Sequence, residues 1–197
     1  MTPDPTNGNS PARPCADSDY GPHARAHEAI HDFVRAVQAL LPETPADDVP
    51  DRVAEALGPV LATEDLLCAE LCEPGTATYR KHVLYACPEK HFTLVAIVWQ
   101  PGQGTDIHGH TAWGAVGVYQ GTPNVACYSC EEVAAGRHTA TETKDIRCQP
   151  GDVATVRPGL CDTHRIYNDS DDVVITLHAY GLDLVEDPDA INIHLKL

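Results

Sequence analysis

The chain has 197 residues, 43% of them hydrophobic, enough for one well-buried domain with short extensions. Thirteen basic against 29 acidic side chains give a formal charge of -16, which argues against nucleic acid and anionic membrane surfaces as partners. The longest apolar runs, around residues 92–99 and 173–177, are too short to cross a bilayer. Eight cysteines behind an N-terminus without an apolar signal region imply reduced thiols in a cytoplasmic protein.

Residues 1–22, rich in Pro, Asn and Ser, read as a disordered leader. Ile30, Phe33, Val34, Val37, Leu40 and Leu41 recur at helical spacing and predict a helix over 26–41. A second helix is predicted over 51–61, with Val53, Ala56, Leu57 and Val60 on one side, and a short third over 63–72. Pro42 and Pro50 bracket the first connection. The helical segment thus covers 23–75. From Thr78 onward the stretches TYRKHVLYA, FTLVAIVWQ, GAVGVYQG, NVACYSCEEV, HTATETKDI, DVATVR and DVVITLHAYG are rich in Val, Ile, Thr and aromatics, and Gly, Pro, Asn and Asp punctuate them. That pattern predicts an antiparallel sandwich or small barrel over 76–197, with the helices packed on it.

Within the barrel, His108 and His110 stand at i and i+2, so an extended strand projects both imidazoles from one face. A third imidazole from a neighbouring strand, His164, would complete a metal site. Neutral imidazoles suit Fe, Ni, Zn or Cu better than Mg or Ca. The alternative is ordinary core histidines.

These histidines lie in two motifs that resemble those of the cupin superfamily. The first runs Gly102, five residues, His108-x-His110, three residues, Gly114, six residues and Gly121, with Gly114 where the family has a ligating Glu. The second runs Gly151, Pro158-Gly159, His164, three residues and Asn168. The resemblance implies a mainly β fold, a double-stranded β-helix (jelly-roll barrel) with N-terminal α-helices. It also implies a metal held by His108, His110 and His164 with one face open. Three neutral ligands leave the full charge of a divalent ion, which favours an anionic sulfur ligand.

A three-His cupin without the Glu resembles the bacterial thiol dioxygenases, the cysteine dioxygenase group. Thr176-Leu177-His178-Ala179-Tyr180 is similar to that family's Ser-x-His-x-Tyr triad, with Thr keeping the hydroxyl. The resemblance implies catalytic roles for Tyr180, His178 and Thr176, a substrate-carboxylate contact from Arg80, and Trp113 as a pocket wall beside Tyr180. With Gly114 near the position of the family's crosslinking cysteine, no thioether to Tyr180 is expected. The implied cofactor is Fe(II), with nickel or another divalent transition metal as the alternative. The implied partners are a small thiol and O2. The implied reaction adds both oxygen atoms to the sulfur, most favourably converting L-cysteine to cysteine sulfinate. Open alternatives are another thiol such as 3-mercaptopropionate, an unusual sulfur product of a specialised pathway, and a non-redox cupin isomerase or binding module.

Other signals carry less. His23, His27 and His31 would line one side of a helix, and histidines are common on such surfaces. Cys127-x-x-Cys130, with Cys148 and Cys161, lies in strand-like sequence where residues three apart face opposite ways, unlike a zinc knuckle. Cys68 and Cys72 are helix-spaced packing residues.

Overall fold

The computed structural model describes residues 24–134 and 136–195. The expected leader and His23 lie outside the described residues. Helix α1 spans Ala24–Leu40 and α2 Val49–Leu61, and a 3-10 turn covers Ala69–Cys72. Pro50 sits in the first turn of α2, where a missing N–H costs no helical hydrogen bond. The predicted third helix over 63–72 shrinks to that 3-10 turn. Asp65 takes φ 50°, a left-handed conformation that stops a helix from running through it.

Ten strands follow among the described residues: β1 Arg80–Ala86, β2 Thr93–Trp99, β3 His108–His110, β4 Gly114–Gln120, β5 Asn124–Ala134, β6 Arg137–Arg147, β7 Val153–Val156, β8 Gly159–Tyr167, β9 Val174–Tyr180 and β10 Asn192–His194. They form two five-stranded antiparallel sheets, ordered β1-β2-β9-β4-β7 and β10-β3-β8-β5-β6. The result is the mainly β jelly roll with N-terminal helices that the sequence predicts. No described helix is long and apolar enough to cross a membrane.

The first sheet is covered on both faces, and this explains why TLVAIVW and VITLHAY are buried throughout. On its outer face Leu94, Ala96, Val98, Ile175, Leu177 and Ala179 pack against Phe33, Val37, Val53 and Leu57 of the two helices. Alternation along the strands turns Val95, Ile97, Trp99, Thr176, His178 and Tyr180 inward, toward the second sheet. The helices therefore shape the site indirectly, by holding the sheet whose inner face carries it. Beyond β9 the chain crosses the mouth of the barrel and returns as β10, paired with β3.

Candidate metal centre and its pocket

β3 and β8 bring the three histidines together. His108 and His164 are direct cross-strand partners, while His110 pairs with Gly159 because the register slips between the two histidines. Gly109 permits that slip, since a Cβ there would meet the Gly159 carbonyl oxygen at 2.5 Å. The ring centroids of His108, His110 and His164 lie 4.9–5.0 Å apart, and one nitrogen from each ring falls within 4.8 Å of the other two. All three residues are buried.

Their hydrogen bonding fits a metal. His108 Nδ1–H donates to the Asp106 carbonyl at 2.9 Å, which leaves its Nε2 lone pair free. Both nitrogens of His110 and Nε2 of His164 are buried without a hydrogen-bond partner. Burial lowers the pKa of all three; His110 is pushed down to about 3, and neighbouring imidazoles add to the effect at His164. At neutral pH the group therefore offers neutral donors rather than imidazolium ions. Buried and unpaired nitrogens are costly unless something fills the space between them. A divalent transition ion fits this donor set.

Gly114, where the sequence motif would place a Glu, has no room for a side chain. It lies opposite Tyr180 in the β4–β9 pair. A Cβ on Gly114 would come 2.6 Å from Tyr180 Cδ1 and 2.9 Å from Val156 Cγ2, so the tyrosine ring fills the space that a longer side chain needs. The Tyr180 ring stacks beside His110, with centroids 6.5 Å apart.

The strand β9 supplies a buried polar relay. The Trp99 indole N–H donates to Thr176 Oγ1 at 2.9 Å, Thr176 Oγ1 lies 2.7 Å from His178 Nε2, and His178 Nδ1 lies 2.8 Å from the Tyr180 hydroxyl. An indole can only donate. His178 Nε2 is the acceptor within reach of the Thr176 hydroxyl among its hydrogen bonds in the described residues, so the Thr176 proton is placed by donation to that nitrogen. The ring proton then sits on Nδ1 and is donated to the Tyr180 oxygen. This tautomer is assigned from the partners, and it leaves the phenolic proton of Tyr180 to point into the cavity. Burial pushes His178 down to about 3 and Tyr180 well above its ordinary value, so both stay neutral. Trp99 is the member of this relay that the sequence motifs do not mark; its position opposite β9 emerges only from strand pairing.

A narrow cavity of about 20 Å³ opens beside His108, His178 and Tyr180. Its remaining walls include Tyr79, Ile97, Trp99 and Ile166, and residues 184–192 of the C-terminal segment close it. Two expected pocket residues are elsewhere. Arg80 is exposed, because β1 alternation turns Lys81 inward and Arg80 outward, opposite Val98 of the helix-side core. Trp113 packs against the helix-side core, with its indole under Gly181, because Gly114 takes the inward position and its predecessor faces the other way. Lys81 is the cation that reaches the cavity.

The other clusters show no comparable convergence. Cys68, Cys72, Cys87, Cys127, Cys130, Cys148 and Cys161 are free thiols, and among the described residues none joins a metal-ligating group. His27 and His31 stack on α1 with centroids 5.2 Å apart.

No protein-family model matches the chain. Among solved structures, it is similar to a sugar phosphate isomerase of the cupin superfamily from Silicibacter pomeroyi (19% identity over 47% of this chain and 51% of that one, TM-score 0.37). It is also similar to a cupin superfamily protein from Desulfitobacterium hafniense (14% identity, 58% and 87% covered, TM-score 0.42). A third similar structure is the oxalate decarboxylase of Lactobacillus farciminis in complex with formate (18% identity, 66% and 35% covered, TM-score 0.44). The chain thus spans about half of the isomerase and about a third of the decarboxylase.

Proposed function

We propose that the chain is a non-haem iron thiol dioxygenase acting on a small thiol, most favourably L-cysteine. The reaction is R–SH + O2 → R–SO2H: two S–O bonds form, sulfur loses four electrons and O2 gains them. The observation that carries this reading is the three-imidazole group with Tyr180, not a carboxylate, packed beside it.

His108, His110 and His164 would hold the metal. A divalent iron bound there supplies the redox chemistry that carries both oxygen atoms to sulfur, with nickel or another transition ion as the alternative. Tyr180, neutral and with its proton free of His178, offers a hydrogen bond to negative charge developing in the cavity. His178 and Thr176 hold that phenol in place. The apolar walls exclude bulk water and strengthen each of these interactions.

A cupin isomerase needs a general base in its cavity. Among the described residues no Asp or Glu lines this one, and its buried His178 is a weak base. The deciding experiment is oxygen uptake by protein reconstituted with Fe(II), using a panel of thiols and mass spectrometry of the product. Thiol-dependent uptake with a gain of two oxygen atoms supports the assignment. Protein that holds iron and consumes no oxygen with any thiol rejects it.

A further inference from the structure

The proposed reaction leaves open what grips the end of the substrate away from sulfur. Among the described residues lining the cavity, Lys81 is the one lysine or arginine, and none is acidic. Lys81 lies mostly inside the protein at the inner face of β1, opposite Ile97, which also lines the cavity. Its Nζ donates to the Pro188 carbonyl oxygen at 2.9 Å and lies 5.7 Å from the centre of the Tyr79 ring. An ammonium has three N–H donors, so two remain for a ligand. Desolvation acts against its charge and outweighs the attraction of Asp187 and Asp189. Its charge also lowers the pKa of His108 and His178, which places it within electrostatic reach of the metal centre and of the relay.

Resting on the thiol reading above, we propose that Lys81 anchors a second anionic group of the substrate, and that it reads the charge of that group rather than its shape. A guanidinium presents a planar fork matched to a carboxylate, whereas an ammonium is a point charge with rotatable donors. The substrate class is a short thiol carrying one anionic group at its far end. Sulfonates should bind alongside carboxylates, because a tetrahedral oxyanion satisfies Lys81 as well as a planar one does. The Pro188 carbonyl sets where the ammonium sits, and thereby the length of thiol that spans from the three histidines to Lys81.

Anaerobic titration of the Co(II)-loaded protein tests this by the sulfur-to-metal charge-transfer absorption. The probes are 3-mercaptopropionate, 2-mercaptoethanesulfonate and uncharged 2-mercaptoethanol. Both anionic thiols should bind about ten- to a hundredfold more tightly than the uncharged one, as expected for a charge-assisted contact. Lys81→Met, with cooperative unfolding as the check on its fold, should abolish that preference. Arg80→Met, a change at an exposed position, should leave it intact. Equal affinity for all three probes, or a preference that survives Lys81→Met, overturns the role of Lys81. Tight binding of the carboxylate but not the sulfonate overturns recognition by charge alone. Stoichiometric cobalt without a charge-transfer band for any thiol overturns the thiol reading itself, a different and distinguishable failure.

Discussion

Trp99 donates its indole N–H to Thr176 across the β2–β9 pair, and the hydrogen bonds continue from Thr176 through His178 to Tyr180. The arrangement predicts that His178 is the Nδ1–H tautomer, readable from the ¹⁵N shifts of its ring in the metal-free protein. Thr176→Val keeps the shape of the side chain but removes the hydroxyl that donates to His178. His178 Nε2 then loses its donor, and the ring should lose its preference for the Nδ1–H tautomer. A wild-type His178 protonated at Nε2 would falsify the relay.

Gly114 is held by the ring opposite it. Gly114→Ala places a methyl against two carbons of Tyr180 and the side chain of Val156, an overpacking expected to cost about 1–3 kcal/mol. The same substitution made in a Tyr180→Ala background should cost much less, because the void accepts the methyl. Tyr180→Phe should not relieve it, since the offending atoms are ring carbons. Urea unfolding of the single and double variants measures the coupling. Equal penalties in all backgrounds would mean that Tyr180 does not exclude a side chain at position 114.

His178 gives the metal-free protein an acid-side weakness. Its pKa is about 3 when folded and 6.5 in the reference state, the shift coming first from burial and then from the charge of Lys81. Between these values the unfolded chain binds more protons, so stability is complete above about 6.5 and falls as pH drops towards 3. His178→Gln, which can still hydrogen-bond, should make that part of the melting-temperature profile less steep, leaving the share due to buried His108, His110 and His164. An unchanged profile in the variant would place the acid sensitivity elsewhere.

Residue-level alternation made much of this legible from sequence. The i, i+2 spacing of His108 and His110 and of Thr176, His178 and Tyr180 puts each set on one strand face, and the structure joins the sets across two sheets. The same alternation also corrects two expectations. Arg80 and Trp113 are one residue out of phase with the inward positions, Lys81 and Gly114, and a motif matched by counting cannot resolve a shift of one. The strand β8 was hidden because GLCDTHRIY lacks a clean apolar alternation; its His164 and Thr163 are buried polar groups. Strand β10 is three residues long and exists by pairing with β3, a tertiary contact with little local signature.

The C-terminal segment that closes the cavity is anchored at its start by a threonine. Thr93 Oγ1 donates to the Leu182 carbonyl at 2.8 Å and accepts from the Leu184 N–H at 3.2 Å, fully buried at the point where the chain leaves β9. Leu184, Pro188, Ile191 and Asn192, all downstream of this contact, line the cavity. Thr93→Val preserves shape but strands a buried N–H and a buried carbonyl, at a cost of about 1–3 kcal/mol for each unsatisfied group. The loss should appear as faster amide exchange across residues 182–192, with exchange in β2 and β9 little changed. Closure then depends on a local anchor rather than on the stability of the whole barrel. Exchange that accelerates uniformly through both sheets would show instead that Thr93 supports the fold and not the cover.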